Sequence, residues 1–385
     1  MNRPETEDWD VIVAGAGLAG TSLAYALAGR GWSVLLVDRH TFPRHKVCGE
    51  FLSPEAGRSL AALGLDSLVR SLRPALIDTV RITCDAGPTL EAPLPGQAWG
   101  LSRRTLDLVL LEASKQQGVT VWTGATVTAI HELLPGGYQV ELRCAGEKRI
   151  LKSRVVAGAW GRSSPSLSLS RDQKKSVPAS SYIGLTTHLR SSSPKASEVE
   201  LYFTEGGYLG ISPIEGGNWN AAALVRAEAF RASGSTTQGM WDRMGAGNAE
   251  LRTKLAPEAH IPGTAAAVAP VMPGRRICAW DKSPHVGDAA AVISPLSGDG
   301  MALALRSAEL TAEYADRYLR GSLTLSGWRR QYEAQLRTEW TGPLRWSSLL
   351  QTALQSRSLA PLLLRLGSVT PWLTSMCIRR TRLIR

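Results

Sequence analysis

A chain of 385 residues with 44% hydrophobic and 20% charged residues can bury a large core and divide into two or more domains, and this composition excludes fibrous and disordered classes. Its formal net charge of +11 is read first as serving solubility, although such an excess also favours anionic partners: a phosphorylated cofactor, a nucleic acid or an acidic membrane surface. Basic and aromatic residues are not interleaved on any recognisable nucleic-acid module, so no nucleic-acid partner is expected.

Residues Asp10 to Ala14 (DVIVA) form a short apolar run of the buried-strand type. The turn Gly15-Ala16-Gly17-Leu18-Ala19-Gly20 follows, then a small-residue helix through Ala28, closed by Gly29 and Gly31. Ser33 to Val37 reads as a second buried strand ending at Asp38, with Arg39, a further candidate cofactor contact, opening a polar loop to Ser53. This is a βαβ opening. A helix is expected over Pro54 to Leu63, and the Pro- and Gly-rich stretch Thr79 to Trp99 predicts short strands and turns. Leu106, Val109, Leu110 and Ala113 recur at helical spacing, predicting a helix from Arg103 to Gln117. Three short β segments run from Val119 to Cys144 with a turn at Pro135-Gly136-Gly137, and Arg154 to Gly158 is a further strand.

The Ser-rich stretch Ser163 to Lys175 reads as an interdomain crossing. Tyr182 to Ala229 alternates like an antiparallel sheet, with turns at Glu205-Gly206-Gly207 and Glu215-Gly216-Gly217. Two helices are expected between Ser235 and Leu255, then a buried strand after Arg276, and a long helix from Gly300 to Leu319. The tail from Gly327 onward is mainly helical by pattern.

The glycine-rich turn carries the first chemistry. Gly15 permits a tight turn, Gly17 lets a pyrophosphate approach the backbone, and Gly20 allows close helix–strand packing. Leu18 and Ala19 then begin a helix whose unpaired N–H groups face the phosphates. A carboxylate at Asp38 can accept from a ribose diol and would repel a 2′-phosphate, which selects FAD or NAD at this site.

Far downstream, Val286-Gly287-Asp288-Ala289-Ala290 and Pro295-Leu296-Ser297-Gly298-Asp299-Gly300-Met301 place an acid and a second glycine-rich helix start. With these motifs the chain resembles the flavoproteins of the p-hydroxybenzoate hydroxylase fold. The resemblance implies an α/β protein: a Rossmann-like FAD-binding domain with a mixed sheet, a β-sheet substrate domain and a helical C-terminal tail. It gives Asp288 the ribityl chain of FAD, and the backbone of Gly298, Gly300 and Met301 the pyrimidine edge of the flavin. Ser102-Arg103 with Leu106-Asp107 is similar to the family's arginine near the FAD ribose and pyrophosphate.

Lys46-Val47-Cys48-Gly49-Glu50 resembles the geranylgeranyl reductase branch of that fold, where such a stretch lies beside the isoalloxazine. Cys48, Tyr208 and Pro295 are therefore flavin-proximal candidates, although a buried cysteine is also an ordinary small apolar residue. Tyr208 to Pro213 is similar to that branch's aromatic element, but Gly210 stands where a tryptophan is usual. Trp160 stands where aromatic hydroxylases of the fold carry an aspartate, and Arg162 is a candidate phosphate contact. A halogenase signature W-x-W-x-I-P is absent. His45 and His188 read as surface or structural residues.

The expected division is a discontinuous FAD domain (1–76, 100–162 and 269–320), a substrate domain (77–99 and 163–268) and a helical region (321–385). The leading expectation is an NAD(P)H-consuming monooxygenase of a hydrophobic aromatic or polyketide-type molecule in secondary metabolism. A reductase of C=C bonds in prenyl chains comes second, and a flavin-dependent halogenase third.

Five scattered cysteines (Cys48, Cys84, Cys144, Cys278, Cys377) indicate neither a disulfide framework nor a zinc site, so a reducing cytoplasm is expected. Met1 to Glu5 shows no apolar signal-peptide region, and the apolar stretch Leu359 to Cys377 is interrupted by Pro361, Arg365 and Pro371. From Trp340 onward there are seven arginines and no acid, with leucines at 359, 362, 363, 364 and 366. Such a tail either packs as a lid or lies on the inner face of an anionic membrane as a peripheral contact.

Overall fold

The computed structural model describes residues 8–85, 87–134, 136–162, 181–190, 197–272 and 277–383. Met1 to Glu5, Pro135 of the expected turn, the expected crossing from Ser163 to Lys175, Arg276 and Arg385 lie outside the described residues.

Strands β1 (Asp8–Ala14) and β2 (Val34–Asp38) pair in parallel, joined by helix α1 (Leu18–Ala28). Small buried residues of α1, among them Gly20, Ser22 and Ala24, let it lie close on the sheet. The chain continues through β3 (Phe51–Leu52), α2 (Ala56–Ala62), α3 (Asp66–Ser71) and the hairpin β4 (Ala75–Cys84) and β5 (Thr89–Gly100). Helix α4 (Arg103–Gln116) starts where the Ser102 hydroxyl accepts from the Thr105 N–H, and it buries Leu106, Leu110 and Leu111. Strand β6 (Thr120–Thr123) adds to β2, then β7 (Ala125–Glu132), β8 (Tyr138–Cys144) and β9 (Glu147–Gly158) form a meander. Strand β9 returns parallel to β1, which completes a mixed sheet in the order β6-β2-β1-β9-β8-β7.

The second sheet combines β3, β4 and β5 with β10 (Tyr182–Leu189), β11 (Glu198–Thr204), β12 (Gly207–Pro213) and β13 (Trp219–Arg226). Its far edge is β14 (Ala266–Val271), and every neighbouring pair is antiparallel except β11 with β4. Period-two alternation divides its faces. Tyr202, Leu209, Ile211, Ala221 and Val225 pack against α5 (Ala227–Ala232), α6 (Thr237–Gly245) and α7 (Ala249–Lys254), chiefly through Met240, Trp241, Met244 and Leu251. The opposite face, carrying Val80, Ile82, Val199, Leu201, Tyr208, Gly210 and Ala222, lines a cavity.

The structure departs from the sequence pattern in two places. The segment Thr79 to Trp99 belongs to two long strands rather than several short ones. Pro93 and Pro95 are tolerated inside β5 because β3 covers that strand only at Trp99 and Gly100, leaving the rest at a sheet edge. The apolar run after Arg276 is an irregular turn closed by a bridge from Trp280 to Pro284, with His285 bridging Gly158. Burial of Ala279, Trp280 and Val286 produces the same apolar pattern as a strand would.

Helix α8 (Gly300–Leu319) shares one core with α1, α2 and α4. Helix α9 (Leu325–Leu354) buries Trp328, Tyr332, Leu336 and Trp340 at helical spacing, and α10 (Leu359–Val369) and α11 (Pro371–Arg380) follow.

Candidate flavin site

The three glycines of the first turn do different work. Gly15 has φ +117°, and a Cβ there would sit 2.3 Å from the Ala159 carbonyl oxygen. A Cβ at Gly20 would sit 1.9 Å from the Gly15 carbonyl oxygen. These two let β1, α1 and the end of β9 close on one another. A Cβ at Gly17 would meet only Lys46 Nζ at 3.5 Å and Arg103 Nη2 at 3.9 Å. Gly17 precedes α1 without a side-chain cap, so the first-turn N–H groups of the helix and two cations face one small space.

Asp38 stands behind this turn rather than on the cavity wall. Its Oδ2 accepts from the Ala16 N–H at 2.7 Å and its Oδ1 from the His40 N–H at 2.8 Å. Each oxygen retains a lone pair for a ribose hydroxyl. Arg39 is exposed and donates through Nε to the His40 ring at 3.0 Å.

Arg103 is buried and gripped by Asp107, through Nε at 2.9 Å and Nη2 at 2.8 Å. Burial opposes its charge, but Asp107 prevails and raises the guanidinium pKa. Lys46 is half-buried and forms no ion pair among the described residues. Burial, then repulsion from Arg103, pushes its ammonium pKa down. Asp288, in the turn Gly287–Ala289, lies 3.9 Å from Arg162 Nε. A bound diphosphate would supply the counter-charge that Lys46 and the α1 N-terminus lack, beside the Asp107-paired Arg103, so these residues fit a dinucleotide.

At the other end, Gly298 has φ +71°, and a Cβ there would lie 2.7 Å from the Phe51 ring. Gly298, Gly300, Met301 and Pro295 border the cavity here. Cys48 Sγ donates to Met301 Sδ at 3.6 Å and accepts from the Glu50 N–H at 3.4 Å, while Asn220 donates to the Cys48 carbonyl at 2.9 Å. The loop around Cys48 is thus strapped between the start of α8 and strand β13. Tyr208 is buried in the cavity wall, its hydroxyl lacks a partner among the described residues, and burial pushes its phenol pKa well up.

Sequence reasoning missed Glu50. Its Oε1 accepts from the Arg103 N–H at 2.8 Å and its Oε2 from His188 Nε2 at 2.7 Å. It holds φ +53° while buried, and so ties the loop, α4 and β10 together. The only local signal was an acid directly after the Lys46–Gly49 motif. Trp160 folds over Gly158, where a Cβ would lie 2.3 Å from its ring, and meets His285 edge-on at 5.2 Å. It packs behind the wall, whereas Ala159, Gly161 and Arg162 are on it.

One cavity of ≈ 400 Å³ therefore gathers Gly17, Leu18, Ala19, Cys48, Arg103, Tyr208, Asp288, Pro295, Gly298, Gly300 and Met301. Gly15, Gly20, Asp38 and Arg39 lie outside its wall.

The chain is 27% identical over 336 residues to menaquinone reductase of Mycolicibacterium smegmatis, covering 79% of this chain and 75% of that protein. Among solved structures it is similar to P. aeruginosa PqsL in complex with 2-aminobenzoylacetate, with TM-score 0.76, 22% identity and coverage of 93% of this chain and 100% of that one. It is also similar to the myxobacterial chondrochloren halogenase CndH, with TM-score 0.77, 20% identity and coverage of 98% and 91%. The family described as FAD binding domain matches residues 8–321. The chain belongs to that family and is an FAD-dependent oxidoreductase.

Proposed function

We propose that the protein is an NAD(P)H-consuming monooxygenase that inserts oxygen into a hydrophobic aromatic or polyketide-type molecule. The observation that carries this reading is the wall of the cavity beyond Met301 and Pro295. It runs along Val80, Ile82, Val199 and Leu201 to Leu354 and Leu364, almost without charge. FAD, when bound, supplies the redox chemistry. The chain orients the substrate and keeps water away from the reacting atoms. Gly184, Gly210 and Ala222 present little side chain to the cavity, which leaves width for a ring system.

Two hydroxyls in this wall, Tyr208 Oη and Ser347 Oγ, are buried without partners among the described residues. Leaving a buried polar atom unmet costs about 1–3 kcal/mol, so rotation of either side chain toward a substrate hydroxyl or carbonyl in the cavity would relieve that cost. The substrate is then an amphiphile with one polar region and a long apolar remainder. Arg162, at the wall beside Asp288, is the residue best suited to a nicotinamide phosphate.

Reduction of a C=C bond is the second reading, favoured by the likeness to a menaquinone reductase over most of the chain. Such a reaction needs a proton donor beside the substrate. Among the described cavity residues of the second sheet, Tyr208 and Ser212 carry the only hydroxyls, and burial makes the Tyr208 phenol a weaker acid, so oxygen insertion ranks first. FAD-loaded protein mixed with NADH or NADPH and fractions of a cell extract tests the substrate class. Apolar, solvent-extractable fractions should accelerate nicotinamide oxidation. Acceleration by water-soluble fractions alone contradicts the proposed class.

A further inference from the structure

Helices α10 and α11 are apolar on two sides. In α10, Ala360, Leu364 and Gly367 face inward, while Leu359, Leu362, Leu363, Leu366 and Val369 form a second stripe that is 36–75% exposed. In α11, Leu373, Cys377 and Ile378 lie on the cavity wall, while Trp372 (69%) and Met376 (39%) face out. Covering a core requires only the inner stripe. The outer one is a contiguous apolar patch of the kind that marks an interaction surface.

Its charge says what kind of surface. Arg365, Arg379 and Arg380 are exposed around the patch and make no ion pair among the described residues. No acid follows Glu339 in the sequence. Leu363 and Leu366 are exposed and also line the cavity, so the cavity opens within the patch.

We propose that this patch docks on the surface of an anionic lipid bilayer and that the substrate passes from the bilayer into the cavity beside Leu363 and Leu366. Helices of this length extend about 15–17 Å and lie along an interface rather than across it. No described helix is long and apolar enough to cross a membrane. Trp372 would sit at headgroup depth, and the arginines would reach the lipid phosphates. Docking is independent of the reaction, whereas the substrate route rests on the lipophilic-substrate reading above.

The test is sedimentation of the FAD-loaded full chain with vesicles of phosphatidylcholine alone or mixed with phosphatidylglycerol. Tryptophan quenching by brominated lipid provides a second readout. Binding should require the anionic lipid and weaken with salt. Each Arg→Gln replacement at 365, 379 or 380 should reduce partitioning about fivefold. The variant Leu362→Ser/Trp372→Ser should reduce it by about tenfold or more while retaining FAD, because both side chains are exposed, and Trp372→Phe should lose much of the quenching. Equal affinity for neutral and anionic vesicles, or no binding at low salt, overturns the inference. So does a dimer in light scattering that Leu362→Ser/Trp372→Ser disrupts while vesicles go unbound. Vesicle binding without turnover of any apolar compound leaves docking intact and removes the lipophilic-substrate reading.

Discussion

Arg382 Nη1 donates to the Asp299 carboxylate at 2.6 Å and to the Ser297 carbonyl at 3.1 Å, joining the residues after α11 to the residue just before α8. Both side chains are buried, and the same turn presents Gly298, Gly300 and Met301 to the cavity. The end of the tail and this end of the flavin site are therefore tied together by a buried ion pair.

Stability should carry the signature of Asp299. Burial pushes its carboxyl up to about 6 despite the neighbouring Arg382. It binds its proton more tightly folded than unfolded, so its contribution is full below about pH 4 and is lost as the pH rises through about 6. The whole effect is at most about 3 kcal/mol. Asp299→Asn should flatten the dependence of urea stability across that window. Parallel profiles for parent and variant would show that another group controls it.

Gly17 and Gly20 should fail differently. Gly17→Val places its branches in open space beside Lys46 and Arg103, so the protein should fold yet lose FAD. Gly20→Val meets backbone at 1.9 Å, so the fold itself should be lost. Circular dichroism and bound-flavin absorbance separate the two. Stoichiometric FAD in folded Gly17→Val would remove the turn from the binding site.

Glu50→Ala leaves the Arg103 N–H and His188 Nε2 without their acceptor, for an expected loss of about 1–3 kcal/mol. Glu50→Gln keeps an acceptor for Arg103 and should lose less. Urea unfolding of the three proteins at one pH checks the order. Equal stability of Ala and Gln variants would mean that the Arg103 hydrogen bond contributes nothing.

A Cβ at Gly210 would lie 3.4 Å from Leu201 Cδ2, so Gly210→Ala should be nearly silent. Gly210→Trp should fill the cavity, retain FAD and abolish substrate-stimulated nicotinamide oxidation. Undiminished stimulation in that variant would place the substrate elsewhere.

The βαβ opening was legible in the sequence because two continuous apolar runs and the Gly15–Gly20 spacing are local signals. The α8 start at Gly300 was legible for the same reason. Pairings across sequence were not. Glu50 meets His188 across 138 positions and Arg382 meets Asp299 across 83, and no local pattern announces either. Asp38 was legible as an acid at a strand end, but its use of both oxygens to hold Ala16 and His40 depends on a turn that folds back on it. The second apolar stripe of α10 was visible as clustered leucines. Only packing shows that Leu364 faces in while Leu362 and Leu366 face out.

The proposed reaction is oxygen insertion into an amphiphilic, largely apolar substrate. The most direct measurement is turnover of that substrate by FAD-loaded protein with NAD(P)H under ¹⁸O₂, followed by mass analysis of the product. Oxygen insertion gives a gain of one labelled oxygen and no product under nitrogen. A product that forms without oxygen and gains two hydrogens instead would contradict it.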